Sequence, residues 1–379
     1  MKHILSTFLF LSASWAYSNL QPAFAAAPET QLLKPRIEVC FVLDTTGSMS
    51  GLIEGAKQKI WSIANELTRA KPTPDIRMGL IAYRDRGDLY VVKSFDLTND
   101  IDTIYGQLQT FQAAGGGDTP ESVNEALQEA VTKMTWSADK KVLKTIFLVG
   151  DAPPHMDYAN GPKYPEVCRE AVKKDLVINT VQCGNLPETT PIWQEIAHAS
   201  EGSYAAIAQA GNMVAIPTPM DAELATLNRK LGSTLVGYGA EPARRAVMSK
   251  QAAAENAPAS VAADRLAFNA RYGLAVQGGG ELLDSLNSGR VKLESLSKDD
   301  LPAEWQNLDE TALKAEIDKK QTERNQLQAQ IQKLGKEREE FLVGERKRLA
   351  KSGKADSFDE KVASFIQAQA ARKGINYGE

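Results

Sequence analysis

A continuous apolar run that ends in a polar turn constrains this chain most. Residues Ile37–Leu43 are apolar except for Glu38, which suits a strand buried on both faces in the centre of a parallel sheet. The run stops at Asp44, and Thr-Thr-Gly-Ser follows up to Ser48. A helical repeat of apolar residues begins near Gly51. The turn therefore lies at the carboxyl end of a central strand, the edge where open α/β sheets bind ligands.

The spacing of polar residues in this turn predicts a metal site. Asp44, Thr46 and Ser48 alternate along the chain, so a tight loop can direct one carboxylate and two hydroxyls to the same side. Such an all-oxygen half-shell suits Mg²⁺ better than Zn²⁺ or Cu²⁺, and Ca²⁺ and Mn²⁺ also accept oxygen ligands. A plain turn with a Ser or Thr helix cap would use the same residues, and the turn alone does not decide between these interpretations.

Strand and helix patterns alternate after this turn and predict the fold class. Strand patterns lie at residues 76–83, 142–149, 177–182 and 203–207, and residues 89–95 are expected to form an antiparallel hairpin partner at the sheet edge. Helix patterns lie at residues 100–111, 121–134, 165–174, 192–199 and 221–235. The alternation predicts an α/β fold, a doubly wound, mostly parallel sheet with helices on both faces.

A glycine-rich segment carries the second set of candidate ligands. The sequence AAGGGDTPE at residues 113–121 contains Asp118, Thr119 and Glu121 after three glycines, which free the backbone for unusual dihedral angles. Pro120 is expected in the first turn of the helix that follows.

The third candidate is Asp151, which follows the strand pattern at residues 142–149. If this strand neighbours the one before Asp44, the acids of all three segments converge on one crevice. Two like charges about 4 Å apart repel by roughly 4 kcal/mol at an effective dielectric constant of 20. A divalent cation resolves this repulsion most simply, with water or an external ligand completing its shell.

The three ordered motifs resemble a von Willebrand factor A domain with its metal-ion-dependent adhesion site. The resemblance covers roughly residues 35–235. It implies that Asp44, Thr46 and Ser48 supply one acid and two hydroxyl ligands, with Thr in place of the commoner Ser at the middle position. It also implies that Asp151 supplies the acid of the third motif.

The second motif departs from the commoner pattern of the family. Many such domains use a threonine there, for which Thr119 is the candidate. The D-x-P-E form resembles integrin β-subunit domains and selects Glu121, with Asp118 close by, and carboxylate chemistry ranks both acids above Thr119. The integrin pattern also has adjacent acids that bind a second metal just after the first motif. Here those positions are Gly51 and Leu52, so one metal is expected there rather than two.

The resemblance implies binding rather than turnover, with an Asp or Glu of a partner protein completing the metal shell. The C-terminal extension resembles that of uncharacterised bacterial exported proteins with this domain and assigns no activity. The alternative is a structural or assembly protein, in which the metal staples the loops and a C-terminal helix mediates oligomerisation.

An enzyme is the least favoured alternative. Phosphatases with an aspartate nucleophile need a second acid two residues later, where this chain has Thr46, and the Gly47–Gly51 turn lacks the G-K-[ST] ending of a P-loop. His155 lies near Asp151 and could contact a metal-bound water or a ligand, although such loop histidines more often have no function. His198 is expected to be a structural or surface residue.

Composition bounds the remaining possibilities. The chain has 379 residues and a formal net charge of −4, which argues against binding to nucleic acid. Residues 1–25 have the pattern of a secretory signal peptide with cleavage after Ala25, which predicts a soluble periplasmic or secreted protein. Among the cysteines, Cys40 is expected to be buried in the first strand, and Cys168 and Cys183 could form a disulfide in an exported protein.

Beyond the predicted 35–235 domain, residues 236–310 are expected to be a linker and mixed helical region, with a linker or weak helix at 252–263. Residues 311–379 are expected to form a charged helical extension, with one long helix at 311–350. A coiled coil is doubtful, because Lys320, Arg324 and Arg338 interrupt its apolar seam. Folding back onto the domain or docking a partner is as compatible with the pattern. The seam residues are Leu313, Ile317, Leu327, Ile331, Leu334 and Phe341.

Overall fold

A six-stranded sheet in the order β3-β2-β1-β4-β5-β6 organises the protein. The structure is a computed structural model that describes residues 34–211, 213, 215–351 and 358–378. The predicted signal peptide lies outside the described residues. The strands are β1 (Arg36–Asp44), β2 (Asp75–Tyr83), β3 (Val92–Thr98), β4 (Leu143–Gly150), β5 (Val177–Cys183) and β6 (Tyr204–Ile207).

Strand β1 occupies the centre and is buried on both faces, as its apolar run predicts. It pairs in parallel with β2 and with β4, and only β3 runs antiparallel. The expected hairpin partner of β2 is confirmed, but it begins at Val92 rather than at residue 89. The hairpin loop is longer than expected. The backbone N–H of Arg84 donates to the carbonyl of Val91, so the loop closes only there.

Eleven helices have bounds in the described part of the chain. They are α1 (Ser50–Leu67), α2 (Ile101–Gln109), α3 (Val123–Thr132), α4 (Tyr164–Lys173), α5 (Thr189–Ala199), α6 (Asp221–Ser233), α7 (Glu241–Asn256), α8 (Ala259–Arg271), α9 (Leu282–Asn287), α10 (Glu310–Lys351) and α11 (Phe358–Arg372). The expectation that Pro120 opens a helix is wrong, because α3 begins only at Val123.

Each face of the sheet carries its own apolar core. Helices α1, α2, α8 and α11 pack on one face and α3, α4 and α5 on the other. Alternate residues of β1 divide between these cores: Val39 and Phe41 belong to the first, and Cys40 and Val42 to the second. Helices on both faces of a mostly parallel sheet are the architecture that the alternating pattern predicts.

The cysteines remain unpaired. All three are buried free thiols, so the disulfide considered for Cys168 and Cys183 does not form. Cys168 lies in the core under α4, whereas Cys183 points from β5 into the core on the opposite face of the sheet. The sheet itself separates them.

The region expected to be a linker or weak helix at residues 252–263 contains the end of helix α7 and the start of helix α8 instead. Helix α7 ends at Asn256, Pro258 precedes α8, and α8 packs against α1 with Val261 and Phe268 in the core of the sheet. The boundaries predicted at residues 235 and 310 stay predictions, while the described part of the chain from Lys34 onwards forms one compact unit. Among these residues, no helix combines the length and apolar character needed to cross a membrane.

The long helix predicted at residues 311–350 is confirmed as α10. It folds back on the chain, because Leu327 and Ile331 of the predicted seam are buried against α6 and α8. The interrupting Arg324 and Arg338 are buried as well, and each is paired with acids of the chain. Phe341 is 38% exposed, so the heptad seam does not continue to the end of the helix.

Candidate metal centre

Backbone hydrogen bonds join the first two polar segments. The N–H of Gly47 bonds the carbonyl of Gly115 at 3.2 Å, and the N–H of Ala114 bonds the carbonyl of Thr45 at 3.1 Å. The turn after β1 and the glycine-rich segment therefore form one continuous wall at the carboxyl edge of the sheet.

A short parallel bridge joins the second segment to the third. The N–H of Glu121 bonds the carbonyl of Pro153 at 2.9 Å, and the N–H of His155 bonds the carbonyl of Glu121 at 3.1 Å. These bonds hold residue 121 in an extended conformation, which explains why α3 cannot begin there. Because β1 and β4 are neighbours, all three predicted segments meet.

Asp44 is fully buried at the bottom of this crevice. Its Oδ1 accepts hydrogen bonds from the backbone N–H of Thr46 at 2.8 Å and from the Thr46 hydroxyl at 2.6 Å. The Thr46 hydroxyl also lies 3.3 Å from the hydroxyl of Ser48. The alternating residues thus bring one carboxylate and two hydroxyls together, as their spacing predicts. The second carboxylate oxygen of Asp44, Oδ2, is buried without a hydrogen-bond partner.

Glu121 is a second buried acid with an unsatisfied oxygen. Its side chain is 4% exposed, and Oε2 has no hydrogen-bond partner. Burial and the charges of Asp44 and Asp85 raise its pKa from 4.5 to about 9. Burial likewise raises the pKa of Asp44 to about 7, against the opposing hydrogen bonds from Thr46. The nearby hydroxyl of Tyr83 is also buried and unpartnered.

The crevice opens to solvent as a cleft of about 440 Å³. Asp151 lies on its wall, half-buried, and accepts a hydrogen bond from the Gln209 amide at 2.7 Å. Asp44 does not line the cleft but is hydrogen-bonded to Thr46, which does. The other predicted ligands all line the cleft, namely Thr46, Ser48, Asp118, Thr119, Glu121 and Asp151.

Two glycines allow the glycine-rich loop to lie close to Thr46 and Glu121. Gly115 and Gly116 have φ values of +79° and +75°, which side chains rarely adopt. A Cβ atom at position 116 would also come within 2.9 Å of the Thr46 Cβ and 3.0 Å of the Glu121 Oε1. Gly116 therefore lets the backbone of the loop lie close to both Thr46 and Glu121.

These side chains fit a hard divalent cation. Buried carboxylate oxygens are normally hydrogen-bonded, yet Asp44 and Glu121 each keep one buried oxygen without a partner. The surrounding donors are carboxylate and hydroxyl oxygens, which Mg²⁺ and Ca²⁺ prefer. Which of Asp118, Thr119 and Glu121 contacts the ion stays a prediction. Glu121 faces Thr46, whereas Asp118 and Thr119 are exposed on the rim.

Asp118 belongs to a second group of possible metal ligands. One ligand atom of each of Asp85, Asp118 and His155 lies within 4.8 Å of the others, so that this cluster could hold a divalent ion. The sequence prediction did not include Asp85. A signal was present, because Arg84 and Asp85 follow a strand next to β1 in the same way that Asp44 follows β1 itself.

Hydrogen bonds fix the position of Asp85. Its Oδ1 accepts from the Ser122 hydroxyl at 2.9 Å and from the Tyr158 hydroxyl at 3.1 Å. The Tyr158 ring stacks on His155, with ring centroids 4.0 Å apart, and the Arg86 guanidinium lies 3.7 Å from the Tyr158 centroid. His155 is therefore a buried residue of the loop after β4.

The fold and the clustered oxygens define a class of protein, an α/β domain with a candidate metal site at the carboxyl edge of its sheet. Residues 38–219 match the sequence model of the von Willebrand factor A domain. The predicted fold class is confirmed, and this segment is similar in sequence to the von Willebrand factor A domain.

Curated relatives are similar to part of the chain. Human von Willebrand factor A domain-containing protein 7 is 34% identical over 157 residues, which is 41% of this chain and 16% of the human protein. The mouse protein of the same name is 32% identical over 146 residues, 38% of this chain and 15% of the mouse protein. The matched segment thus spans about a sixth of these relatives.

Solved structures are similar at a lower level. Proximal thread matrix protein 1 from the mussel byssus has 15% identity and a TM-score of 0.36, with 46% of this chain and 42% of the other covered. The SpRpn10 VWA domain has 15% identity and a TM-score of 0.36, with 47% of this chain and 89% of the other covered.

Proposed function

We propose that this protein is an exported, metal-dependent protein-binding module. Asp44, Thr46, Ser48, Glu121 and Asp151 hold a divalent cation, with Mg²⁺ the best fit to the all-oxygen donors. An acidic side chain of a partner protein completes the shell of the ion from the open cleft.

The observation that carries this proposal is the pair of unsatisfied carboxylate oxygens on Asp44 and Glu121 beside an open cleft. Without a cation, burial keeps these two acids protonated to an unusually high pH. A cation offsets the repulsion between them. The cleft is open on the partner side, which leaves room for an external ligand rather than a closed structural site.

The binding experiment uses the full chain and two immobilised peptides that differ only by one Asp→Asn substitution. We expect the Asp peptide to be retained in Mg²⁺ and released by EDTA, because only a carboxylate replaces a water of the ion effectively. Asp44→Ala is expected to abolish retention. Glu304→Gln is the matched control, since Glu304 is exposed and distant in sequence from the site.

Three outcomes would contradict this proposal. Equal retention of the Asp and Asn peptides, with or without EDTA, would exclude capture through the metal. If Asp44→Ala lowers stability but leaves partner binding intact, the metal only holds the loops together, and this result would favour the structural alternative. Turnover of a generic phosphoester that Asp44→Asn abolishes would favour the enzyme alternative.

The export part of the proposal rests on the signal-peptide pattern alone. We expect cleavage after Ala25 and recovery of the protein from the periplasm or the medium. N-terminal sequencing of the protein expressed in a bacterium tests this directly, and retention of Met1 in a cytoplasmic product would contradict it.

A further inference from the structure

The imidazole of His155 has one nitrogen without a hydrogen-bond partner. The residue is 4% exposed, and its Nε2 lies 3.3 Å from the Asp85 Oδ2 in a geometry that does not form a hydrogen bond. An unpartnered nitrogen facing a buried carboxylate oxygen is costly unless something positive lies between them. Asp118 brings a second carboxylate oxygen to the same point from the solvent side.

The other ring nitrogen explains why Nε2 is available. Nδ1 lies 2.8 Å from Oδ1 of Asp157, whose side chain is 71% exposed. An ionised carboxylate only accepts hydrogen bonds, so Nδ1 is the donor. Stacking on Tyr158 fixes the plane of the ring. A carboxylate that orients the far nitrogen is the usual support of a metal-binding histidine.

From this geometry we propose that Asp85, Asp118 and His155 form a second metal site that takes a borderline transition-metal ion, with Zn²⁺ the best fit. One imidazole and two carboxylates are a ligand set that suits Zn²⁺ and leaves a fourth position for water. Ligand bonds of about 2.0–2.1 Å in a tetrahedron put neighbouring ligand atoms about 3.3–3.4 Å apart. The observed 3.3 Å between Asp85 Oδ2 and His155 Nε2 matches this separation.

The two sites differ in chemistry although they share a loop. Gly116 lies close to both Thr46 and Glu121 in the oxygen-only site, while Asp118, three residues before Glu121, brings a carboxylate oxygen near Asp85 and His155. Mg²⁺ prefers oxygen ligands and binds imidazole poorly. The second site therefore selects a different ion from the first and does not depend on it.

The experiment measures binding of Zn²⁺ and Co²⁺ to the full chain in the presence of excess Mg²⁺. We expect one Zn²⁺ per chain, and a Co²⁺ visible spectrum with nitrogen ligation. Asp118→Asn is expected to weaken Zn²⁺ binding by at least about tenfold, and His155→Gln to abolish the Co²⁺ spectrum. Asp44→Asn, which removes a ligand of the first site, should leave Zn²⁺ binding unchanged.

The variants are chosen so that misfolding does not imitate loss of a ligand. Asp118 is exposed, so Asp118→Asn should retain the unfolding midpoint of the wild type, and Glu304→Gln again serves as the exposed control. The ¹⁵N shift of His155 Nε2 provides an independent measurement.

Three results would overturn the second site. They are Zn²⁺ binding that survives both Asp118→Asn and His155→Gln, Zn²⁺ binding that Asp44→Asn removes, and an Nε2 that stays protonated in excess Zn²⁺. The last would identify an imidazolium paired with Asp85 instead. The first and third results do not bear on Mg²⁺-dependent partner binding, whereas the second would place Zn²⁺ in the first site. Retention of the Asp peptide in Mg²⁺ decides the first proposal separately.

Discussion

Two buried clusters of acids in this protein are stabilised in opposite ways. Beneath α10, Glu281 and Asp284 are each 2% exposed, and all four of their carboxylate oxygens accept hydrogen bonds. The cation there is Arg324, a fully buried residue of α10. At the edge of the sheet, Asp44 and Glu121 each keep an unsatisfied oxygen.

The difference shows where each positive charge comes from. Arg324 bonds Glu281 with both terminal nitrogens, at 2.8 and 2.9 Å, and Asp284 at 3.1 Å. Its remaining donors reach the hydroxyl and the carbonyl of Thr234. Each carboxylate oxygen of that cluster has a partner within the chain, so the cluster needs nothing from solution. The acids of the cleft each keep an oxygen without a hydrogen-bond partner, and we propose that a cation from solution completes them.

The largest expected effect comes from removing the internal cation. We expect Arg324→Met to lower the free energy of unfolding by roughly 3–5 kcal/mol, because it leaves two buried carboxylates without their partner. Urea unfolding measures the change. Arg245→Met is the control, since the side chain of Arg245 is 72% exposed and its ion pair with Glu241 contributes little. A loss below about 1 kcal/mol would break the contrast between the clusters.

The second prediction concerns pH in the absence of divalent ions. Folding raises the pKa of Asp44 from 3.8 to about 7 and that of Glu121 from 4.5 to about 9. The folded state therefore binds protons more tightly than the unfolded state, and stability falls as pH rises through these windows. Each group lowers the free energy of unfolding by up to about 1.4 kcal/mol for each pH unit within its window.

We therefore expect the wild type in EDTA to lose stability between pH 5 and pH 8, and Glu121→Gln to lose less. Saturating Mg²⁺ should remove most of the difference in pH dependence between wild type and Glu121→Gln, because a bound cation favours the ionised acids. Urea unfolding at four pH values gives the slopes, with Glu304→Gln expected to follow the wild type. Equal slopes for wild type and Glu121→Gln would show that this carboxyl is already satisfied.

The smallest effect tests the close approach of the glycine-rich loop. We expect Gly116→Ala to cost about 1 kcal/mol and to weaken Mg²⁺ binding, because φ is +75° and the new Cβ would contact Thr46. Gly117→Ala is the matched control, since a Cβ there meets nothing within 4 Å. Thermal unfolding and Mg²⁺ titration measure both variants. If they behave alike, the loop is not held against Thr46.

Much of the fold could be predicted because its signals are local. An apolar run buried on both faces and an alternation of strand and helix patterns are enough to predict a doubly wound sheet, and β1 through β6 lie close to the predicted positions. One error has a tertiary cause and the other a local one. The backbone of Glu121 bonds the loop after β4 instead of starting a helix, and β3 starts late because the hairpin loop closes at Val91.

By itself the sequence determined the first half of the candidate metal site, because Asp44, Thr46 and Ser48 are neighbours whose spacing brings their oxygens together. Only the tertiary structure shows that Glu121 is buried near Thr46 while Asp118 lies near Asp85 and His155. The reason is that the backbone of Glu121 is bonded to the distant loop after β4. Packing also decided that Arg324 completes a buried acid cluster rather than interrupting a coiled coil. Nothing within the sequence of α10 points to its partners, Glu281 and Asp284, which lie some 40 residues away.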